Sequence, residues 1–490
     1  MNADFCNLLK ESLPHDAAER LLCALSGTEL SPTIRLNPFK TKGDVSENQC
    51  VLEVLKGAEE LWCKGAFKLA ERPDFTLDPA FHAGAYYVQD SSSMFPYLIA
   101  DEIDSALGAN GVLLDLCASP GGKSTHLISL FAKEGRIFLS NEAVPKRTPA
   151  LTDNLAKWGV SRLIATNRDP KNLGRLEGLF DVILADVPCS GEGMFMRSSD
   201  ALNDWSLRTV EECAARQRSI ISDIWPALKE GGLLVYSTCT YNHKENSDNV
   251  RFIMEELGAE FVPVDRVLNL VPGLLRLEYG YQFALGSVEG EGQFFAVLRK
   301  RSGRSLSAAV ASKSQKFPFK ELRVNISDNQ KNTFLYNKTE ESIYMMPSDV
   351  AERMIVIAES IEGAGGIGRY VKMLGCKVGM LKAGKVIPDA DFALSAELQS
   401  WLKDKSIAEK DSCLEIRIEE LKASLQFSAA EVDRGTALRF LARENITPLP
   451  GWKQGYILLC FNGLGLGFIN NLGNRCNNLY PQERRIRKRL

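Results

Sequence analysis

The segment Gly111–Thr125 reads GVLLDLCASPGGKST: a short apolar run passes through a glycine-rich turn into the start of a helix. Five more apolar runs follow it along the chain: Arg136–Glu142 (RIFLSNE), Arg162–Asn167 (RLIATN), Asp181–Pro188 (DVILADVP), Gly232–Cys239 (GLLVYSTC) and Phe294–Lys300 (FFAVLRK). Longer helical stretches separate the runs. Buried strands that alternate with helices predict an α/β fold with a doubly wound, parallel, Rossmann-like sheet.

The turn after the first run has the features of an anion-binding loop. Its adjacent glycines let backbone N–H groups approach a ligand, while the helix N-terminus and Lys123 add positive charge. A phosphate-binding P-loop is excluded because Cys117 stands where that motif needs glycine, and the dinucleotide motif GxGxxG is absent. The loop therefore predicts a site for the carboxylate end of S-adenosylmethionine, rather than a plain connection between strand and helix.

Two acids follow the next two strands of the predicted sheet. Glu142 ends the second strand, where an acid of a doubly wound fold accepts hydrogen bonds from ribose hydroxyls. Asp169 follows the third strand and is predicted to meet the adenine edge. Each acid alone would be interpreted as a helix cap or a solvated loop residue, so the assignment depends on the loop before them.

Two of the twelve cysteines lie at predicted strand ends, in Asp186–Gly193 (DVPCSGEG) and Tyr236–Tyr241 (YSTCTY). Buried structural thiols would be the ordinary interpretation of a random cysteine pair. Here both lie at the ligand-binding edge of the sheet, which favours a chemical role. The other cysteines are scattered without a CxxC pair, and only four histidines occur, so no metal site is expected.

Length and composition indicate a soluble protein of several domains. The chain has 490 residues, of which 45% are hydrophobic and 25% charged, and its net charge is only −3. One hydrophobic core does not serve so long a chain, so three or four domains are expected. The absence of a signal peptide and of a long apolar run predicts a cytoplasmic protein without a membrane segment.

The predicted organisation has five parts. These are an N-terminal helical or α+β RNA-binding segment at 1–93 with an extended piece at Pro32–Phe39, a cofactor-binding core at 94–300, a Ser-rich basic linker at 301–316, a first C-terminal α/β domain at 317–410, and a final domain at 411–490. The last domain has a glycine-rich sequence at Gly455–Asn470 that is typical of strands, and a basic tail at Arg484–Arg489.

The motifs DLCASPGGKS, DVPCSGEG and YSTCTYNHKEN, in this order, resemble the Nol-Nop-Sun family of RNA cytosine-C5 methyltransferases, and most closely its bacterial small-subunit rRNA F group. Ile34–Pro38 (IRLNP) and His82–Ser93 (HAGAYYVQDSSS) resemble the family's N-terminal segment, so the resemblance covers at least residues 30–300. Arg434–Leu441, Gly455–Gly467 and Asn478–Arg487 resemble, more loosely, the PUA-like RNA-binding domain of the F group. The F group's substrate, small-subunit rRNA or the assembled subunit, becomes the expected partner of a monomeric enzyme.

This resemblance implies roles for residues that sequence chemistry leaves open. It implies that Cys239 attacks C6 of cytosine while Cys189 aids product release; DNA cytosine methyltransferases use a Pro-Cys motif, which would select Cys189 instead. It further implies that Asp186 contacts both cofactor and base. The remaining cofactor contacts implied are Cys117, Ala118, Ser119, Pro120, Gly121, Gly122, Lys123, Glu142 and Asp169. One departure concerns Arg276–Phe283 (RLEYGYQF), where the family often has Pro-His, although Gly290–Phe295 (GEGQFF) is retained.

Three alternatives stand beside this hypothesis. A tRNA cytosine methyltransferase would use the same chemistry, but the F-like C-terminal part argues against it. A catalytically silent RNA-binding factor for ribosome assembly would not need both cysteines and an intact cofactor loop. A small-molecule methyltransferase has no evident use for two thiols and appended domains. The basic tail suits contacts with RNA phosphates, although a charged end is more often simply solvated.

Overall fold

The computed structural model describes residues 2–27, 30–41, 48–197, 199–302, 319–322, 324–325, 331–363, 368–404 and 413–488. Most of the linker predicted at 301–316 therefore lies outside the described residues. Over the described ranges the α-helices are α1 (Ala3–Ser12), α2 (His15–Ala24), α3 (Gln49–Leu52), α4 (Pro79–His82), α5 (Ala100–Leu107), α6 (Gly122–Phe131), α7 (Thr148–Trp158), α8 (Pro170–Leu173), α9 (Ser199–Asp204), α10 (Leu207–Ile224), α11 (Ser247–Leu257), α12 (Val267–Leu270), α13 (Ala351–Glu362), α14 (Ala390–Ala393), α15 (Ala396–Asp404) and α16 (Arg434–Leu441). None of these helices has the length and apolar content that a membrane crossing needs.

Strands form four sheets. In chain order they are β1 (Thr33–Leu36), β2 (Glu59–Glu60), β3 (Ala66–Lys68), β4 (Tyr86–Val88), β5 (Val112–Asp115), β6 (Ile137–Asn141), β7 (Leu163–Thr166), β8 (Phe180–Asp186), β9 (Leu228–Thr238), β10 (Ala259–Phe261), β11 (Leu275–Leu277), β12 (Gly280–Phe283), β13 (Gln293–Lys300), β14 (Phe319–Leu322), β15 (Val324–Asn325), β16 (Asn332–Asn337), β17 (Ser342–Pro347), β18 (Val371–Leu374), β19 (Cys376–Lys382), β20 (Lys385–Pro388), β21 (Cys413–Ile418), β22 (Ala423–Glu431), β23 (Gly455–Phe461), β24 (Leu464–Asn471) and β25 (Cys476–Asn478).

The central sheet has the order β11-β12-β13-β9-β8-β5-β6-β7-β18, with β10 paired to β13. Its five middle strands, β9 to β7, are parallel, which confirms the predicted doubly wound sheet. The prediction was wrong for the last apolar run, because β13 is antiparallel to β9. Residues 284–292 connect β12 to β13. This connection is too short for the helical crossover that joins parallel strands, so β13 is antiparallel to β12 as well.

Alternate residues of the middle strands enter two different hydrophobic cores. Leu113 of β5 faces the core formed with α5, α6 and α7, whereas its neighbour Leu114 faces the core formed with α10, α11 and α13. Both side chains are essentially inaccessible to solvent. Apolar residues at every position are therefore required in these strands, since helices cover both faces of the sheet.

The N-terminal segment contains more strand than its sequence pattern predicts. Besides β1, which lies within the predicted extended piece, β2, β3 and β4 complete a four-stranded antiparallel sheet. These strands are two or three residues long, so they are too short to show a two-residue periodicity. Helices α1 and α2 pack instead against Trp205, Tyr241 and Leu285 of the core.

The first C-terminal unit is built partly into the core. Its own sheet has the order β14-β16-β17-β19-β20, but β18 extends the central sheet antiparallel to β7. Helix α13 of the same unit covers part of one face of the central sheet through Met354 and Ile357. The boundaries at 300 and 317 remain predictions, and no sequence pattern indicated this shared strand.

The final unit packs on the N-terminal sheet. Its sheet has the order β15-β21-β22-β23-β24-β25, in which only β22 and β23 are parallel. Phe440 of α16 and Ile469 of β24 share one hydrophobic core with Ile34 and Phe67 of the N-terminal sheet. Chain segments from opposite ends of the sequence thus form a single cluster.

The basic tail is divided between structure and solvent. Arg484 is half-buried and pairs with Asp153 of α7 at 2.5 Å and with Asp391 of α14 at 2.8 Å. Lys488 pairs with Asp74 of the N-terminal segment. Arg485 and Arg487 are exposed. Part of the charge that the sequence offers for phosphate contacts therefore joins domains.

Replacing Arg484 by methionine should lower the free energy of unfolding by about 2 kcal/mol, because two half-buried carboxylates lose their shared cation. Urea unfolding followed by circular dichroism measures the change. Arg485→Met is the matched control at an exposed neighbour and should change the free energy by less than about 0.5 kcal/mol. Equal effects of the two substitutions would show that Arg484 does not join the domains.

Candidate active site

The reactive side chains meet at the carboxyl ends of β5, β8 and β9. These strands are parallel neighbours, with Asp115 paired in register with Leu184, and Asp186 with Ser237. The loops that leave β8 and β9 carry the two predicted cysteines. The sulfur atoms of Cys189 and Cys239 are 3.2 Å apart, and both residues are partly accessible.

The loop between β5 and α6 follows the conformation that its glycines permit. Gly121, with φ +111°, lies in the left-handed region and caps α6. A Cβ on Gly122 would lie 3.3 Å from the Tyr87 ring, so glycine allows close packing there. Ser119 is held by reciprocal bonds: its hydroxyl donates to the Arg147 carbonyl at 2.9 Å, and Arg147 donates to its carbonyl at 2.8 Å. Of the other predicted loop residues, Ala118 is buried, Cys117 is half-buried and Pro120 is exposed.

A buried acid supports this loop from beneath. Asp115 accepts a 2.6 Å hydrogen bond from the Ser124 hydroxyl, and its other oxygen has no hydrogen-bond partner among the described residues. Burial raises the pKa of Asp115 to about 7, although the bond from Ser124 opposes the shift.

Lys123 and Asp186 form the ion pair at the centre of the site. The Lys123 ammonium lies 2.8 Å from Oδ2 of Asp186, while Oδ1 accepts from Ser237 at 2.9 Å and from Gln293 at 3.0 Å. Burial alone would lower the pKa of Lys123, but Asp186 outweighs it and the net shift is upward. Cys239 also interacts electrostatically with this ammonium.

The environment of Cys189 favours the neutral thiol. Its hydrogen bond with the Cys239 sulfur, followed by burial, raises the pKa of Cys189 well above its usual range. The Cys189 thiol, which keeps its proton, is placed to donate it to the Cys239 sulfur 3.2 Å away.

Two buried glutamates fasten the cysteine loops to each other. Glu245 accepts from the Ser190 backbone N–H at 3.0 Å and from Gln217 at 2.7 Å, and burial raises its pKa. Glu192 accepts from the Tyr241 N–H at 2.7 Å and from the Trp205 indole at 3.0 Å. Neither glutamate was predicted as a site residue, although Glu192 lies in the motif SGEG and Glu245 in the motif YNHKEN. An acid within a motif at a strand end was the signal that could have identified them.

The two acids predicted to hold the nucleoside have different surroundings. Glu142 is buried; Oε1 accepts from the Val144 N–H at 2.8 Å, and Oε2 has no hydrogen-bond partner among the described residues, with Arg147 3.5 Å away. Asp169 is exposed and caps α8 by accepting from the Lys171 N–H at 2.9 Å. One oxygen of each acid thus accepts a backbone hydrogen bond, and the other oxygen of Glu142 is buried beside the Arg147 guanidinium.

A cleft of about 260 Å³ opens beside the loop and the ion pair. Its walls are formed by Tyr87, Val88, Gln89, Asp90, Ser93, Asp115, Cys117, Ala118, Ser119, Pro120, Gly122, Lys123, Asp186, Met194, Arg197 and Glu291. Tyr87–Asp90 were not predicted to line the cleft, although they lie in the motif His82–Ser93. Glu291 pairs with Arg197, and burial, then nearby Asp90, raises the pKa of Glu291 to about 7. Among the described residues no cluster of three or more His, Cys, Asp or Glu side chains could hold a metal ion.

Three parts of the chain match models of protein families. Residues 1–91 match the N-terminal domain of 16S rRNA methyltransferase RsmF, residues 106–267 match 16S rRNA methyltransferase RsmB/F, and residues 427–486 match the methyltransferase RsmF PUA domain. The three matches follow the order in which the segments lie along the chain.

Three similar proteins are named ribosomal RNA small subunit methyltransferase F. The protein of Aliivibrio salmonicida (strain LFI1238) is 31% identical over 353 residues, which are 67% of this chain and 71% of that protein. The protein of Aeromonas salmonicida (strain A449) is 35% identical, but the match spans 53% of this chain and little more than half, 56%, of that protein. The protein of Shewanella piezotolerans is 26% identical over 98% of this chain and 97% of its own length.

A solved structure shows the same fold. The crystal structure of the protein PH0851 aligns with a TM-score of 0.51 at 23% identity, covering 60% of this chain and 65% of that one. Together with the ordered motifs and the matching relatives, these findings establish that the chain belongs to the RsmB/F family of 16S rRNA methyltransferases.

Proposed function

We propose that this protein transfers a methyl group from S-adenosylmethionine to C5 of a cytosine in small-subunit rRNA, with Cys239 as the nucleophile. The observation that carries the proposal is the distance of 3.2 Å between the sulfurs of Cys189 and Cys239. The two sulfurs lie at the same edge of the sheet as the ion pair of Lys123 and Asp186. Thiols so placed are suited to a covalent mechanism on a pyrimidine ring.

Cytosine C5 needs activation before it can accept a methyl group. The Cys239 thiolate forms a bond to C6, and the electron pair of the C5–C6 double bond moves to C5, which takes up the methyl group. When bound, S-adenosylmethionine supplies that methyl group. A water molecule in the open cleft then takes the C5 proton as the base. The electron pair of the C5–H bond forms the C5–C6 double bond again, and the C6–sulfur bond breaks with its pair on Cys239, which restores the aromatic base and the free Cys239.

Cys189 serves the release step in this proposal. Its raised pKa keeps the proton on the sulfur during the attack, and its position beside Cys239 lets it act on the adduct afterwards. Asp186 holds Lys123 near Cys239 and borders the cleft, so the pair orients both the nucleophile and the incoming base. Glu192 and Glu245 keep the two loops at this separation.

Residues of the loop line the cleft, and together with Glu142 and Asp169 they fit the cofactor. Oε2 of Glu142 forms an ion pair with Arg147 at 3.5 Å but accepts no hydrogen bond from the described residues, so it is a buried acceptor that suits a ribose hydroxyl. The loop Cys117–Lys123 would hold the amino-acid end with Ala118, Ser119, Pro120, Gly121 and Gly122. Asp169 would contact the adenine edge with the carboxylate oxygen that does not cap α8.

RNA is the proposed partner. The matches to an RsmF N-terminal domain and to an RsmF PUA domain support an RNA substrate that extends beyond the catalytic cleft. Exposed Arg485 and Arg487 are available for phosphate contacts, which position RNA without reading its sequence. The target base would leave its stack to enter the cleft, and the reaction would take place in the cytoplasm.

The first prediction concerns the roles of the two thiols. Cys189→Ala, incubated with S-adenosylmethionine and small-subunit rRNA, should accumulate a covalent protein–RNA band on a denaturing gel, because attack proceeds and release does not. The band should vanish in the Cys189→Ala, Cys239→Ala double variant. Cys213→Ala, a half-buried cysteine on α10, is the matched control and should give no band. A band that survives loss of Cys239 would reassign the nucleophile.

A second prediction concerns Glu142. Glu142→Gln should weaken binding of S-adenosylmethionine about tenfold, because the single amide oxygen is occupied by the Val144 N–H and the amide nitrogen cannot accept from a hydroxyl. Isothermal titration calorimetry measures the affinity. Glu134→Gln, an exposed acid before the opposite end of β6, should leave it unchanged. Unaltered affinity in Glu142→Gln would remove Glu142 from the cofactor site.

Substrate choice gives the third prediction. When naked small-subunit rRNA, assembled small subunits and total tRNA are offered separately with a radiolabelled methyl donor, label should enter cytosine of small-subunit rRNA, free or assembled. Label confined to tRNA would favour the tRNA methyltransferase. Binding of rRNA without label in any substrate would favour the silent assembly factor.

A further inference from the structure

Arg35 of β1 is a buried cation in the N-terminal segment, and the proposed reaction does not use it. Only 2% of the residue is exposed to solvent. Its guanidinium donates to the side chains of Gln89 at 2.9 Å, Ser129 at 3.1 Å and Thr125 at 2.7 Å, and to the Gly122 carbonyl at 3.3 Å. It also lies over the Trp158 ring, 4.6 Å from its centre.

The charge of Arg35 lacks a counter-ion among the described residues. Every acceptor of its hydrogen bonds is neutral, and the ionisable neighbours are neutral as well. Burial and then Arg35 itself lower the pKa of His126 well below its usual value, and burial raises the pKa of Cys63 to about 12. Burial also lowers the pKa of Arg35 to about 10, which still leaves a full positive charge at neutral pH.

The position of this charge connects it with the cofactor loop. Gly122 and Thr125 belong to the first turn of α6, which begins directly after the loop Cys117–Gly121. Gln89, which accepts from Arg35, also lines the cleft. Arg35 therefore lies behind the helix N-terminus, on the protein side of the place where an anion would bind.

We infer that Arg35 is the counter-charge for the carboxylate at the amino-acid end of S-adenosylmethionine, and that it acts through the first turn of α6. The inference rests on the proposed use of that cofactor. A buried charge acts over several ångströms because little water screens it, and its positive potential adds to those of the helix N-terminus and Lys123. An unpaired buried cation is unfavourable until an anion binds, so Arg35 is a positioning residue that the N-terminal segment contributes to the cofactor site.

The test compares two ligands that differ in the amino-acid end, which carries the carboxylate and an ammonium group. S-adenosylhomocysteine carries the amino-acid end, whereas 5′-methylthioadenosine keeps the nucleoside and the thioether and lacks that end. In the full-length chain, Arg35→Met should weaken binding of S-adenosylhomocysteine about tenfold in calorimetry, because one buried charge is lost. Binding of methylthioadenosine should be unchanged. Arg35→Lys, which retains the charge, should restore much of the affinity for S-adenosylhomocysteine.

Controls separate this role from a structural one. Lys40→Met removes another buried basic side chain of the same segment, whose pKa burial lowers to about 7 and which donates to the carbonyls of Ala83 and Lys157, and it should affect neither ligand. Should Arg35→Met fail to fold in a thermal unfolding measurement, Arg35→Gln removes the charge while it keeps hydrogen-bond donors. Equal losses for both ligands, or no loss for either, overturn the inference. Failure of the wild-type protein to bind either ligand overturns the proposed function itself, and the inference with it.

Discussion

The parallel pairing of β8 with both β5 and β9 determines where the reactive groups lie. It fixes Asp115, Asp186 and Ser237 in adjacent strands, so the loops that follow these strands must leave from the same edge of the sheet. Hydrogen bonds between strands set this register before any side chain contributes. The distance between the two sulfurs, the ion pair of Lys123 and Asp186 and the course of the glycine-rich loop all depend on it.

A sheet edge alone would leave the loops free to separate, and buried charge prevents this. Glu192 and Glu245 are almost fully buried, yet each accepts several hydrogen bonds from the loop residues around it. Carboxylates are expensive to bury, and a well-packed apolar core would be at least as stable. Hydrogen bonds to these carboxylates are directional, whereas apolar contacts are not. Each oxygen holds particular donors of the loops, so the loops have one arrangement rather than several.

The sequence predicted the core of this molecule well because strands buried on both faces consist of continuous apolar runs, and the runs that became β5 to β9 are of this kind. The motifs at their ends also located Cys189, Cys239, Lys123 and Asp186. The contribution of β18 to the central sheet could not be predicted, because a four-residue strand carries little pattern and its partner β7 lies about 200 residues earlier. The role of Arg35 was equally hidden, since burial without a counter-ion is a property of packing and not of local sequence.

The shared core of the N-terminal sheet and the final unit has a consequence for synthesis. Arg434, which pairs with Glu53, follows it by 381 residues. At a translation rate of about 5–20 residues per second, roughly 20–80 s separate the appearance of the two partners. Ile34 and Phe67 share their core with residues of the final unit, so this core lacks part of its packing throughout that interval. The packing of the N-terminal sheet is thus completed only when synthesis of the chain is almost finished.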